Sequence, residues 1–161
     1  MKIITILLFS IISQNSFSQN EITNYYLIRH AEKVDNSKNP ELSDLGKIRA
    51  ENYKNLFSEI KLDYIYSKDF IRTTNTVNPT AIEKKLEIIK YIPKDLDIEN
   101  LKKVTLGKNV LIVGHSNSTP DLVNRLINEK VYTQIDETQF GNLYIVTIIE
   151  NQVSHKLLKL Q

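Results

Sequence analysis

Short apolar runs alternate with segments of helical periodicity after residue 18, and this alternation predicts the fold class. The runs, such as residues 25–28 and 110–113, have the length of buried strands. Between them, apolar positions recur three and four residues apart, as in the segment that follows the predicted N-cap Ser43 and extends to Phe57. Strands that alternate with helices predict an α/β fold, here a three-layer α/β/α sandwich around a mainly parallel sheet.

The middle of the chain predicts two more strands with a helix between them. The strands are residues 64–66 and 86–91. Ser67 is the predicted N-cap of the helix. Pro79 is predicted to end it after Val77, because proline disfavours helical backbone at the residue before it.

The last part of the chain predicts the edge of the sheet. A charged helix is expected over residues 98–106, and another begins at Thr119–Pro120, since proline is favoured in a first helical turn. Residues 143–149 and 153–160 read as two strands joined by a turn. Such an antiparallel hairpin gives the otherwise parallel sheet an antiparallel edge.

The first 18 residues have the pattern of a signal peptide. Lys2 precedes a largely apolar run from Ile3 to Ile12, and the small residues Ser16 and Ser18 follow it. The run is shorter than the roughly 20 apolar residues that span a bilayer. We therefore expect cleavage, no stable membrane insertion afterwards, and a single mature domain over residues 19–161.

The composition limits the cellular compartment and the classes of binding partner that we expect for this protein. The chain has no cysteine, so an exported product, periplasmic or secreted, carries neither a disulfide nor a lipidated cysteine. The formal net charge is only +2, and the lysines are scattered among acidic residues. Nucleic acid is therefore not an expected partner.

Several kinds of catalytic site are excluded by the residues that the sequence lacks. Without cysteine there is no thiol phosphatase chemistry, and the four glycines form neither a P-loop nor a G-x-S-x-G elbow. The three histidines are far apart in sequence, which does not favour a metal site. The remaining candidates are histidine and arginine.

Four such side chains lie at or just after predicted strands: Arg29, His30, Arg72 and His115. In open α/β sheets, ligands bind beyond the carboxyl ends of the strands. Guanidinium groups bind phosphate oxygens with two hydrogen bonds, and a neutral imidazole nitrogen can attack phosphorus. The four side chains therefore predict a phosphate site with a histidine nucleophile.

The chain contains, in this order, the segments LIRHAE, LSDLGKIRA, YSKDFIRT and VGHS. Together they resemble the motifs of the histidine phosphatase superfamily, which includes cofactor-dependent phosphoglycerate mutases. LIRHAE at residues 27–32 is similar to the R-H-G signature, with Ala31 in place of the glycine. LSDLGKIRA at residues 42–50 resembles L-[ST]-x-x-G-x-x-x-A, and YSKDFIRT at residues 66–73 resembles S-x-x-x-R-[AT]. VGHS at residues 113–116 is similar to the segment of the second histidine. The chain resembles a short, exported bacterial-type member.

The resemblance implies an activity and a role for each of the four residues. His30 would be the nucleophile that forms a covalent phosphohistidine, Arg29 and Arg72 would clamp the phosphate, and His115 would donate a hydrogen bond to it. No cofactor is implied. The implied function is a metal-independent phosphatase that hydrolyses phosphomonoesters or phosphohistidine, on a small phosphorylated substrate or a phosphoprotein.

The proton donor to the leaving group is left open by the sequence. Mutase-like members carry an acid in an insertion, and the stretch between Arg72 and His115 leaves little room for one. The candidates are, in order, Glu32 and Asp121, followed by Asp95 and Asp97. Asp121 also suits the first turn of a helix, where an acid complements the dipole. Two alternatives therefore remain: a catalytically silent phosphate-binding module and, less favoured, a phosphoglycerate mutase.

The export prediction has a direct test. The protein isolated from an expressing cell should begin at or near Gln19, because signal peptidase removes the leader. N-terminal sequencing of the purified protein measures this. A protein that still begins at Met1 contradicts the prediction.

Overall fold

The computed structural model describes residues 21–150 and 152–160. The predicted signal peptide lies outside the described residues. The elements are β1 (Ile22–Arg29), α1 (Asp44–Leu56), β2 (Tyr64–Lys68), α2 (Ile71–Lys84), β3 (Ile88–Tyr91), a 3₁₀ turn (Pro93–Asp95), α3 (Ile98–Val104), β4 (Asn109–Gly114), α4 (Ser118–Ile127), β5 (Asn142–Ile149) and β6 (Gln152–Lys159). In this part of the chain, no helix is long and apolar enough to cross a membrane.

The strands form a six-stranded sheet in the order β3-β2-β4-β1-β5-β6. β3, β2, β4 and β1 are parallel, whereas β5 and β6 are antiparallel and form one edge. This confirms the predicted α/β fold with a mainly parallel sheet and an antiparallel hairpin. Because β1, β2 and β4 run parallel to one another, their carboxyl ends lie on the same rim.

Side chains alternate between two cores, one on each face of the sheet. Leu27 packs in one core with Leu101 of α3 and Leu122 of α4. Its neighbour Ile28 points the other way, into a core with Phe57, which directly follows α1. Each such side chain contributes roughly 1.5–3 kcal/mol when it leaves water. Burial on both faces therefore explains why these strands are continuous apolar runs.

The start of α2 differs from the prediction. Ser67 does not cap the helix, because it lies within β2, where it pairs with Val113 of β4. The N-cap is Phe70, whose side chain makes no capping hydrogen bond. Instead, Asn39 from the loop after β1 accepts a hydrogen bond from the Ile71 amide at 2.9 Å. A side chain distant in sequence thus satisfies this helix start.

The predicted end of α2 is also wrong, because Pro79 lies inside the helix. Proline removes one helical hydrogen bond and clashes with the preceding turn, which costs about 3 kcal/mol. Beyond it, however, Thr80 and Ala81 are buried. Their burial offsets the loss, and the helix continues until Lys85 adopts a left-handed conformation with φ of 55°.

Gly46 anchors α1 to the loop that follows β1. A Cβ atom at Gly46 would lie 2.1 Å from the carbonyl oxygen of Glu32. That oxygen accepts a hydrogen bond from the Ser43 amide at 2.9 Å, and Ser43 Oγ accepts one from the Gly46 amide at 3.1 Å. The contact explains why the motif places serine and glycine three residues apart: only glycine lets the helix approach this closely.

Replacing Gly46 with alanine should destabilise the protein. An alanine inside a helix normally stabilises by about 1 kcal/mol relative to glycine, but here the overlap with Glu32 should reverse the sign and cost about 1–3 kcal/mol. Urea unfolding measures the difference. Lys47→Ala, at an exposed position in the same turn, is the control and should change stability little. A Gly46→Ala protein as stable as the parent contradicts this packing.

Candidate active site

The pairing of β1 with β4 brings two histidines together. Arg29 lies opposite Gly114 in the parallel register, so His30 and His115 both leave the sheet at the same point. The His30 amide donates to the Gly114 carbonyl at 3.0 Å. The centroids of the two imidazoles lie 5.4 Å apart, with their planes at 78°. The structure therefore places two imidazoles at one rim of the sheet, as predicted.

The tautomer of His30 follows from its hydrogen bond. Its Nδ1 lies 2.7 Å from the carbonyl oxygen of Ala31. A carbonyl only accepts, so Nδ1 carries the proton and Nε2 keeps a free lone pair. Burial lowers the pKa of His30 to about 4, outweighing the hydrogen bond to Ala31, and the nearby charge of Arg29 adds to the effect. At neutral pH, Nε2 is therefore an uncharged potential nucleophile.

The substitution of alanine for the glycine of the motif is accommodated. Ala31 is buried in a small apolar cluster with Leu42 and Ala50. Its amide donates to Thr76 Oγ1 at 2.9 Å, and the same hydroxyl donates to the Arg72 carbonyl at 2.7 Å. Thr76 therefore joins the loop after His30 to the first turn of α2.

His115 has the opposite tautomer. Its Nδ1 lies 2.7 Å from Nζ of Lys68, at the end of β2. An ammonium group only donates, so Nδ1 accepts and Nε2 carries the proton. That Nε2 is buried and has no hydrogen-bond partner within the described residues. Burial, together with the charges of Lys68 and Arg72, lowers the pKa of His115 to about 3. His115 is thus a neutral donor whose N–H is free for a ligand.

Arg29 is held rigidly by the loop before β5. Its Nη1 donates to the carbonyls of Asp136 and Gln139, both at 2.9 Å, and its Nη2 lies 2.5 Å from a carboxylate oxygen of Glu137. The guanidinium also stacks 4.3 Å from the centre of the Phe140 ring. Its buried Nε has no partner among the residues that the structure describes. The Nε–H of this arginine is therefore available to a ligand.

Arg72 supplies a second positive charge beside the histidines. Its guanidinium lies 4.6 Å from the centre of the Phe70 ring, and its Nη1 reaches the Lys38 carbonyl only weakly, at 3.4 Å. Its charge contributes to the lowered pKa of both His30 and His115. The structure therefore gathers the predicted pair of guanidiniums and pair of imidazoles at one rim.

The first predicted proton donor, Glu32, is engaged elsewhere. Its carboxylate accepts three hydrogen bonds from Arg49, at 2.7 to 3.0 Å, and both side chains are largely buried. Burial alone would raise the pKa of Glu32, but the hydrogen bonds and charge of Arg49 outweigh it and lower the pKa. An ionised carboxylate in such a pair has no proton to give.

The other predicted donors lie on the surface. Asp121 is exposed in the first turn of α4 and lines a pocket with Asn124 and Arg125, to which none of the four site residues contributes. Asp97 caps α3 by accepting from the Asn100 amide at 3.1 Å. Asp95 is an exposed residue of the 3₁₀ turn. None of these carboxylates contacts His30.

Lys68 and Glu137 contribute to the site although the sequence did not indicate them. Glu137 accepts from Ser116 Oγ at 2.5 Å as well as from Arg29, and the bond from Ser116 contributes most to lowering its pKa. Glu137 lies in a loop that carries no motif. One feature of the sequence points to Lys68: it lies at the end of a predicted strand, as His115 does.

A pocket lies next to Lys68 and Phe70, which both contact His115, although none of the four site residues lines it. It has a volume of about 430 Å³ and is lined by Lys68, Asp69, Phe70, Tyr91, Ile92, Pro93, Lys94, Asn117 and Ser118. The described residues include no group of three or more histidine, aspartate or glutamate side chains placed to hold a metal ion.

Residues 25–92, which contain His30 and Arg72, match the family model of the histidine phosphatase superfamily, branch 1. The chain is thus similar to this family over residues 25–92. No curated protein matches the sequence.

Solved structures share the fold of this chain. A phosphoglycerate mutase from Bacillus anthracis str. Sterne is 13% identical, with a TM-score of 0.67 over 86% of this chain and 93% of the other. The alpha-ribazole phosphatase from Shigella flexneri is 14% identical, with a TM-score of 0.65 over 85% of this chain and 96% of the other. A phosphoserine phosphatase from Entamoeba histolytica is 19% identical, with a TM-score of 0.63 over 86% of this chain and 98% of the other.

His30 should remain uncharged well below neutral pH. Its pKa of about 4, against an ordinary 6.5, means that the nucleophilic form persists until the pH falls through about 4. Because the unfolded chain takes up this proton first, stability should decline as the pH falls from 6.5 to 4. A ¹⁵N NMR titration measures the protonation, with a His30→Gln variant to assign the signal. A midpoint near 6.5 contradicts the buried, neutral state.

Proposed function

We propose that this protein is a phosphatase that hydrolyses phosphomonoesters through a covalent phosphohistidine on His30. The observation that carries the proposal is the hydrogen bond of 2.7 Å from His30 Nδ1 to the Ala31 carbonyl. It leaves Nε2 unprotonated at the rim where Arg29, Arg72 and the N–H of His115 meet. A nucleophile and positively charged donors around one position are the requirements of phosphoryl transfer.

The donors stabilise the charge that develops during transfer. The transferring group spreads negative charge over its equatorial oxygens. The Nε of Arg29 and the guanidinium of Arg72 are available to these oxygens, and Nε2–H of His115 is available to a further oxygen of the phosphate ester. In comparable sites, the loss of one such donor costs roughly 3–4 kcal/mol of transition-state stabilisation. Because the donors are fixed by the strand ends and by surrounding loops, little reorganisation is needed when a substrate binds.

The reaction proceeds in two displacements. Nε2 of His30 attacks phosphorus as the bond to the leaving oxygen breaks, and that oxygen takes a proton. Water then attacks the phosphohistidine, loses a proton, and releases phosphate with His30 restored. No step needs a metal ion or a cofactor, so the activity is proposed to be metal-independent.

The form of the site favours hydrolysis over transfer between two positions of one substrate. A mutase must keep its phosphorylated intermediate away from water, whereas here Arg72 and His115 are partly exposed beside an open pocket. The substrate is proposed to be a small phosphomonoester or a phosphohistidine of another protein. Export to the periplasm or the medium is part of the proposal and rests on the leader pattern alone.

A catalytically silent phosphate-binding module is the second candidate. The observation in its favour is that the predicted acid Glu32 is tied to Arg49, and that Asp121 faces a different pocket. A binder would use the same donors without turnover. It would be stabilised against heat by inorganic phosphate and would hydrolyse nothing.

Hydrolysis of p-nitrophenyl phosphate in the presence of EDTA tests the proposal. The parent should release phosphate, and His30→Ala should reduce kcat at least about a thousandfold, because losing one essential group of a catalytic site has effects of this size or larger. His155→Ala is the matched control: this histidine lies on β6 and is bonded to Tyr132 at 2.8 Å, so its loss should not alter the rate.

Each result decides between the candidates. Turnover that His30→Ala abolishes supports the phosphatase and rules out the silent module. Stabilisation by phosphate without turnover supports the module instead. Undiminished activity of a purified His30→Ala protein contradicts the assignment of the nucleophile.

A further inference from the structure

The proposed phosphatase lacks an assigned proton donor for its leaving group, and this inference rests on that proposed function. An alkoxide leaves slowly unless a proton reaches its oxygen in the transition state, and a positioned acid contributes typically 10²–10⁴-fold. The carboxylate nearest in sequence to the nucleophile, Glu32, is ionised in its pair with Arg49. A different group must therefore supply the proton.

Lys68 and His115 are arranged to pass a proton into the site beside His30. The ammonium of Lys68 lies 2.7 Å from Nδ1 of His115. On the other side of the same ring, Nε2–H is buried without a partner among the described residues, and the ring centroid lies 5.4 Å from that of His30. The Phe70 ring packs edge-on at 4.8 Å and holds the imidazole in place. One ring nitrogen thus faces an acid while the other is free.

The imidazole of His115 is not an adequate acid without Lys68. It is neutral at physiological pH, because burial and the neighbouring charges lower its pKa to about 3. The N–H of a neutral imidazole is a hydrogen-bond donor, but its loss alone would create an imidazolate. Simultaneous uptake of a proton at Nδ1 avoids that ion. The group in contact with Nδ1 therefore determines whether His115 can act.

We propose that Lys68 and His115 form a proton relay to the leaving group. As the bond between phosphorus and the leaving oxygen breaks, that oxygen takes the Nε2 proton of His115, and Nδ1 takes a proton from the Lys68 ammonium. The products are a neutral alcohol, the phosphohistidine and a neutral amine. When water attacks the phosphohistidine, its proton enters at Nε2, and the Nδ1 proton returns to Lys68. The cycle restores both groups.

The surroundings of Lys68 suit this role. Its side chain is half-buried, and burial followed by the charge of Arg72 lowers its pKa. Within the described residues, no carboxylate lies within salt-bridge distance of its Nζ, unlike that of Lys90, which pairs with Asp69 at 3.4 Å. The Lys68 carbonyl accepts from Thr73 Oγ1 at 2.7 Å, which fixes the backbone at the strand end. The Lys68 ammonium is therefore positioned at His115, and its lowered pKa favours release of a proton.

A series of leaving groups separates a relay from a merely electrostatic or structural role. The substrates are 2,4-dinitrophenyl phosphate, phenyl phosphate and an alkyl phosphate, and the measured quantity is kcat/KM, which reports the step in which the leaving group departs. A proton donor matters most for the alkyl ester and little for dinitrophenolate, which leaves as an anion. A phosphate-binding charge matters equally for all three.

Two variants of Lys68 distinguish the proton from the charge. Lys68→Met removes both, whereas Lys68→Arg keeps the charge and a donor to Nδ1 but does not release a proton at working pH. Both should lower kcat/KM for the alkyl ester at least about a hundredfold, and Lys68→Arg should hydrolyse dinitrophenyl phosphate nearly as fast as the parent. Lys90→Met, at the neighbouring strand, is the charge control and should keep the parent's dependence on the leaving group.

The outcomes are distinct. If Lys68→Arg slows all three esters by the same factor, or none of them, the relay is overturned while the phosphatase stands. If the parent hydrolyses no ester, the proposed function fails and the relay with it. ¹⁵N NMR of the imidazoles gives a test independent of turnover: His115 should be the Nε2–H tautomer in the parent and in Lys68→Arg. A parent in which Nδ1 carries the proton overturns the relay.

Discussion

The parallel pairing of β1 with β4 is the constraint on which the rest of the site depends. Because Arg29 is in register with Gly114, the two residues that follow enter the same space from neighbouring strands. The hydrogen bond from the His30 amide to the Gly114 carbonyl continues the ladder by one step and then the chains diverge. The imidazoles are thus adjacent by backbone geometry, before any side-chain contact is considered.

The loop after β1 fixes the orientation and the tautomer of His30. The Ala31 carbonyl accepts a hydrogen bond from Nδ1–H of His30, and the Ala31 amide donates to Thr76 Oγ1, so the orientation of His30 depends on the first turns of α2. The contact of Gly46 with the Glu32 backbone fixes the same loop from the side of α1. Two helices that contribute no nucleophile therefore determine which nitrogen of His30 bears the lone pair.

The sequence predicts most of the elements, and it predicts that Arg29, His30, Arg72 and His115 meet at one rim, because strand ends and helical periodicity are local signals. The predictions are wrong where contacts between residues distant in sequence override these local signals. Ser67 pairs with Val113 in the sheet and does not cap a helix, and α2 continues past Pro79 because residues beyond it are buried. The position of Glu32 beside His30 in the sequence predicts a proton donor, whereas in the structure its carboxylate pairs with Arg49 of α1. Such an ion pair depends on the tertiary fold and cannot be predicted from the separation of the two residues in the sequence.

The manner in which Arg29 is held bears on how a product would leave. Three of its five N–H groups are directed to the chain itself, two of them to carbonyls and one to the carboxylate of Glu137. A bound anion therefore meets a cation whose charge is already partly balanced and whose position is already set. In the proposed phosphatase, such a residue would orient the phosphate while binding it only weakly, which would favour release of the product.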